Sequence, residues 1–124
     1  MYNETVMKRF TNPKNAGMII NADGSGQAGN ARCGDIMKIY LRVQKGVIID
    51  AKFKTFGCVS AIASTDVACE MIKGKTIEQA LKFTNNDFVK ALGGLPEVKI
   101  HCSVLAKEAI EAAVNDYKKK LAKK

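Results

Sequence analysis

The chain has 124 residues, 47% apolar and 26% charged, with four cysteines, a single histidine and a formal charge of +8. Those proportions are ordinary for a soluble globular protein of one domain with a real core, and no apolar run approaches the length needed to cross a bilayer. The start, Met1-Tyr2-Asn3-Glu4, lacks the apolar stretch of a signal peptide, so the expectation is a cytoplasmic protein without membrane contact, whose reduced cysteines serve metal binding or catalysis more than disulfides.

The positive charge is concentrated. Lys118, Lys119, Lys120, Lys123 and Lys124 carry five of the twenty cationic side chains, which leaves fifteen against twelve acidic groups over residues 1–117. A nucleic-acid footprint would be a basic face interleaved with aromatic residues. A lysine-rich helix end is favoured by the helix dipole alone, so no nucleic-acid partner is expected.

In chain order, residues 3–10 predict a short helix with Val6, Met7 and Phe10 on one side, ended at Asn12-Pro13 because the residue before proline avoids the α region. Residues 21–34 are rich in Gly and Asn and read as a loop, with a short edge strand near Gln27–Cys33. Its glycines read as turn chemistry. A phosphate cradle would need a strand before, a helix after and a defined glycine spacing. Met37, Ile39, Leu41 and Val43 alternate with Lys38, Tyr40 and Arg42, the period of a half-buried strand. After a turn at Gln44-Lys45-Gly46 a second strand runs from Val47 to Phe56, with Ile49, Ala51 and Phe53 as its inward set.

Gly57-Cys58 closes that strand. A helix of small residues follows from Ser60 to Ile72, with Ile62, Val67 and Met71 on a shared face and Gly74 as its stop. Thr76-Ile77-Glu78-Gln79 forms a capping box for a helix to about Thr84. Asn86-Asp87 caps a short third helix that Gly93-Gly94 breaks. From Cys102 on, Ala106, Ala109, Ile110, Ala113, Tyr117 and Leu121 recur at three and four, a helix of about five turns. Strands followed by segregated helices mean an α+β fold: a small three-stranded antiparallel sheet, helices on one face and a long C-terminal helix. Residues 1–124 are expected to form one domain, with a flexible segment over 1–20 and a basic tail over 118–124.

Three cysteines fall at element edges. Cys33 precedes Gly34-Asp35 at the entrance to the first long strand, Cys58 marks the strand-to-helix junction, and Cys102 begins the long helix beside His101. Helix N-termini favour thiolate over thiol. Element ends are also where side chains from distant parts of a chain converge. Asp35 follows Cys33 by two, which in a strand puts both on one face. Spacings of 25 and 44 residues are not those of a zinc finger. By spacing alone, three unrelated buried cysteines would be an equal reading. The neighbouring Asp35 and His101 complete a thiolate, carboxylate and imidazole set suited to tetrahedral zinc or to iron–sulfur ligation. Cys69, inside a predicted helix among Val67, Ala68 and Met71, reads as a small buried hydrophobe.

Cys33-Gly34-Asp35 with Met37-Lys38, Phe56-Gly57-Cys58 with Ser60-Ala61-Ile62-Ala63-Ser64, and Leu95-Pro96 through His101-Cys102-Ser103 resemble, in order and interval, the IscU/NifU N-terminal family of iron–sulfur cluster assembly scaffolds. The resemblance spans nearly the whole chain and looks like the stand-alone scaffold. It implies a site of Cys33, Cys58 and Cys102, with Asp35 and His101 beside them. There a cysteine desulfurase delivers persulfide sulfur, an iron donor supplies ferrous iron, and a transient [2Fe-2S] cluster forms and passes to apo-proteins. It implies Cys102 as sulfur acceptor, Asp35 as the ligand that keeps the cluster labile, zinc in some isolated members, and a scaffold or carrier role rather than independent turnover. Two departures stand out. Val59 occupies the position after Cys58 where the family has glycine. The loop that Hsp70-type chaperones recognise reads Leu95-Pro96-Glu97-Val98-Lys99, where Glu97 replaces a second proline and weakens the case for that partner. The longer segment of zinc-dependent SufU sulfurtransferases is absent, which ranks a zinc-dependent sulfur acceptor as the alternative.

Overall fold

The computed structural model describes residues 3–30, 35–56, 59–94 and 101–122, and at positions 30, 35, 56, 60, 101–103 and 122 the backbone alone. The elements are α1 (Glu4–Thr11), β1 (Gly24–Asn30), β2 (Asp35–Gln44), β3 (Val47–Phe56), α2 (Val59–Ile72), α3 (Ile77–Lys82), α4 (Asn85–Ala91) and α5 (His101–Ala122). The strands form one antiparallel sheet in the order β1-β2-β3. α5 lies on β1 and β2, α2 lies on β3 and against α5, and α1 packs on α2. This is the α+β arrangement that the sequence order implies. No described helix is long and apolar enough to cross a membrane.

The β2–β3 hairpin turns through Lys45 and Gly46, at φ +52° and +78°, the two positive φ angles of a tight I′ turn. Met37, Ile39, Leu41, Ala51 and Phe53 face the core as their alternation predicts. Ile49 does not. The register shifts after Arg42, pairing Arg42 with Asp50 but Val43 with Ile48, so Ile49 is the extra residue of a bulge. Ile48 is fully buried and Ile49 is 47% exposed. Strict alternation counted back from Phe53 reaches the wrong isoleucine, because one inserted residue reverses the facing of everything beyond it.

The glycines of the 21–34 region also differ from expectation. The strand begins at Gly24, before Gln27, and two of its glycines are not turn residues. Gly24 and Gly26 pair with Leu41 and Ile39 on the core face, where α5 crosses. A Cβ on Gly24 would stand 2.5 Å from the Ala113 carbonyl oxygen, and one on Gly26 closer still to the Ala113 nitrogen. Their missing side chains let helix backbone approach strand backbone. Ser25 N–H, between them, donates to Asp116 Oδ2 at 2.9 Å.

The remaining elements start and stop where local chemistry dictates. Asn3 caps α1 by accepting from Val6 N–H, and of its predicted apolar side only Val6 is fully buried, with Met7 turned outward. Thr76 and Gln79 form the expected capping box of α3. The cap of α4 is Thr84 rather than Asn86, with Asp87 as the reciprocal partner at the third helical position. α5 starts at His101 and runs 22 residues, about six turns. Ala106, Ala109, Ile110, Ala113 and Val114 are its buried stripe, whereas Leu121 is 56% exposed.

The polar face of the sheet is partly covered. Residues 15–17 lie along the free edge of β3, where Phe53 N–H donates to Asn15 O and Gly17 N–H donates to Phe53 O. The chain then crosses to β1, held by Arg42, whose guanidinium donates to the carbonyls of Ile20 and Asn21. Tyr40 is buried on this face with Lys38 Nζ 5.3 Å from its ring centroid.

Candidate functional site

Three element ends meet at one end of the sheet. The last pair of β1 and β2 is Asn30 with Asp35, and the next pair across β2 and β3 is Ile36 with Phe56. β1 therefore ends and β2 begins at that end, and β3 also ends there, at Phe56, before α2 begins at Val59.

The start of α5 arrives there by packing. Gly24 faces Ala113 and Tyr117, whereas Gly26 faces Ala112 and Ala113, so the helix runs antiparallel to β1. From Gly26 to Asn30 is roughly 14 Å of strand. From Ala112 back to His101 is roughly 17 Å of helix. The first turn of α5 thus stands level with, or just past, the Asn30–Asp35 end.

Asp35 is the first residue of β2, and His101 and Cys102 are the first two residues of α5. Cys102 accordingly sits in the helical turn whose free N–H groups carry the positive end of the macrodipole. Cys33 and Cys58 lie outside the described residues, as does the whole of 95–100 with the expected docking residues Leu95, Pro96, Val98 and Lys99. β2 begins after Cys33, so the expectation that Cys33 and Asp35 share a strand face also falls outside them. Among the described residues no three His, Cys, Asp or Glu side chains gather as a metal site.

Cys69 behaves as the sequence suggests. It is fully buried on α2 within the main core cluster. Burial, then the Asp66 carboxylate, pushes its thiol far above the usual range, which keeps it protonated and inert.

One constellation was not anticipated. Asp66 is fully buried on α2. It accepts from Arg9 Nη1 at 2.7 Å, from Asn15 N–H at 2.8 Å and from Asn15 Nδ2 at 3.1 Å. Asn15, also buried, donates to Glu70 Oε2 at 3.2 Å and accepts from Lys73 Nζ. The Asn15 hydrogen bond holds the Glu70 carboxyl below its usual range, against partial desolvation and with help from Lys73. These contacts bind α1 and the strap after it to α2. The available signal was a lone acid inside a run of small and apolar residues, Ala61 to Cys69, in a helix buried nearly all round.

The comparisons agree with this architecture. The NifU-like N terminal domain family matches residues 1–124. The iron-sulfur cluster assembly scaffold protein IscU 1 of Archaeoglobus fulgidus is 52% identical over 120 residues, 97% of this chain and 78% of that protein. The IscU scaffold of Buchnera aphidicola is 50% identical over 123 residues, covering 96% of each. Among solved structures, an iron-sulfur cluster assembly scaffold for the SUF system from Fervidobacterium islandicum superposes with a TM-score of 0.74 at 28% identity, over 91% of this chain and 96% of that one.

Proposed function

This chain belongs to the NifU-like N-terminal domain family, and from that premise we propose that it is a scaffold for iron–sulfur cluster assembly, on which a [2Fe-2S] cluster is built and then released. The observation that supports the reading is that β1 ends, β2 begins, β3 ends and α5 begins at one end of the sheet. In sequence, Cys33 and Asp35, Cys58, and His101 with Cys102 fall at or next to those ends.

In this reading the cluster is cargo. Cys102 accepts persulfide sulfur from a cysteine desulfurase. The thiolates of Cys33, Cys58 and Cys102 hold the iron that an iron donor brings, and Asp35 or His101 completes the set. Three soft thiolates suit iron–sulfide, whereas a carboxylate is a harder and poorer partner. A site completed by Asp35 therefore holds a cluster less tightly than four cysteines would, as a carrier must if it is to load apo-proteins. The same donors accept zinc in tetrahedral geometry. The protein is a carrier without turnover of its own, acts in the reducing cytoplasm, and offers Leu95, Pro96, Val98 and Lys99 as a handle for a partner, with Glu97 disfavouring an Hsp70-type chaperone.

The test is assembly in vitro. Incubated anaerobically with a desulfurase, cysteine and ferrous iron, the wild-type chain develops the visible absorption of a [2Fe-2S] cluster, and Cys33→Ala, Cys58→Ala and Cys102→Ala do not. Absence of a wild-type spectrum, or three variants that behave as wild type, sinks the reading. Tightly retained zinc with stimulation of the desulfurase in the absence of iron would instead support the zinc-dependent sulfur acceptor.

A further inference from the structure

A concavity lies away from the cysteines, between α1, the strap after it and α2. It is a cavity of about 330 Å³, within the range of small-molecule sites. Thr5, Lys8 and Arg9 line one side of it from one face of α1, with Asn12 at the helix's C-terminal cap. Thr11, Lys14 and Asp66 complete it. We propose that this cavity binds a small oxyanion, a phosphate or polycarboxylate group, independently of cluster assembly.

The charge balance favours an anion, with three cations against one carboxylate. That carboxylate is already committed. Buried Asp66 takes three hydrogen bonds, two from Asn15 and one from Arg9, so it acts as the fixed support that orients the guanidinium. Arg9 uses only Nη1 in that bond, and its other donors have no partner among the described residues. The Thr5 hydroxyl, the Asn12 amide and the Lys14 ammonium likewise make no hydrogen bond or ion pair among the described residues. Lys8 is engaged only by exposed Glu4 at 3.4 Å, a contact of little strength in water. The C-terminal carbonyls of α1, which would repel an anion, are partly taken, Met7 O by the Thr11 hydroxyl and Lys8 O by Asn12 N–H. A pre-oriented guanidinium with free donors, two ammonium groups and neutral donors in one concavity is the chemistry that recognises oxyanions.

The test is a titration of the full-length apo chain at constant ionic strength, followed by amide chemical shifts and by thermal melting. Inorganic phosphate is one arm, the tricarboxylate tricarballylate a second, and sodium chloride the control. The proposal expects saturable shifts confined to residues 5–14 and the neighbourhood of Asp66, complete below about 10 mM, with a rise in melting temperature that the control lacks. The arm that saturates at lower concentration identifies the source of the oxyanion. Arg9→Lys, which keeps the charge but loses the fork, and Lys14→Gln, which does not touch Asp66, should each weaken binding by about tenfold. A Lys118→Gln/Lys119→Gln variant should bind as wild type. Shifts that never saturate, that follow chloride equally, or that survive Lys14→Gln while vanishing with the two tail lysines overturn the proposal.

Discussion

Gly26 on β1 and Ala113 on α5 are in backbone-to-backbone contact, close enough that a Cβ at position 26 would overlap the Ala113 nitrogen and the Ala112 carbonyl carbon. With Gly24 against Ala113 and Tyr117, this contact sets the height of the long helix on the sheet, and so delivers His101 and Cys102 to the end where Asp35 begins β2. Gly26→Ala forces backbone rather than a flexible side chain to move, so it should destabilise the chain by about 3 kcal/mol, the upper end of overpacking costs. Urea unfolding measures this. A change under about 0.5 kcal/mol would mean that the helix is not seated as described.

Acid should loosen this junction and the contact between α2 and the strap. Asp116 is held below its usual range chiefly by Ser25 N–H and then by Lys120 against a desolvation penalty, and Glu70 chiefly by Asn15. A carboxyl that is harder to protonate when folded contributes stability above its unfolded pKa and loses it as pH falls through the folded value. Stability should therefore decline below about pH 4.3, the unfolded carboxylate range. Asp116→Asn and Glu70→Gln should each flatten that acid limb while changing the midpoint slope little. Urea midpoints between pH 3 and pH 7 check this. An unchanged acid limb in both variants would contradict it.

Cys69 should be a bystander. Folded protein treated with iodoacetamide at neutral pH should leave Cys69 unmodified, and urea should expose it. Cys69→Ala should cost about 1 kcal/mol and leave the yield of assembled cluster unchanged. Loss of assembly in this variant would move Cys69 from the core into the chemistry.

The bulge in β3 makes two adjacent isoleucines unequal. Ile48→Ala should cost about 3 kcal/mol as a buried deletion, and Ile49→Ala less than about 0.5 kcal/mol as a surface change. Equal costs would show an unbulged hairpin.

That pair also marks where sequence reading ends. Periodicity is a local signal, and it correctly located both long strands, the small-residue helix and the C-terminal helix. Met37 to Val43 obey their period, and the inward side of α5 does so through Ala113 but not at Leu121, whereas the edge strand expected near Gln27–Cys33 begins earlier, at Gly24. A bulge breaks the period without changing composition, so Ile48 and Ile49 could not be ordered from sequence. Gly24 and Gly26 were misread because a glycine that admits a helix looks the same in sequence as one that turns a chain. The Asp66–Asn15 pairing joins residues 51 apart, and nothing local announces it beyond one acid in an apolar helix. The boundaries beside three candidate ligands were legible, since Asp35 opens β2 and His101 and Cys102 open α5, whereas Cys33 and Cys58 lie outside the described residues.

The central claim, that this chain builds a cluster in order to give it up, is tested most directly by transfer. Cluster assembled on the wild-type chain and on Asp35→Ala is mixed with an apo-ferredoxin, and the acceptor's circular dichroism is followed over time. The account predicts that the wild type transfers its cluster to the ferredoxin, and that Asp35→Ala assembles a longer-lived cluster and transfers it more slowly by about tenfold or more, a difference of about 1.4 kcal/mol in the barrier. A wild-type cluster that stays on the chain, or an Asp35→Ala cluster that leaves as fast as wild type, would contradict it.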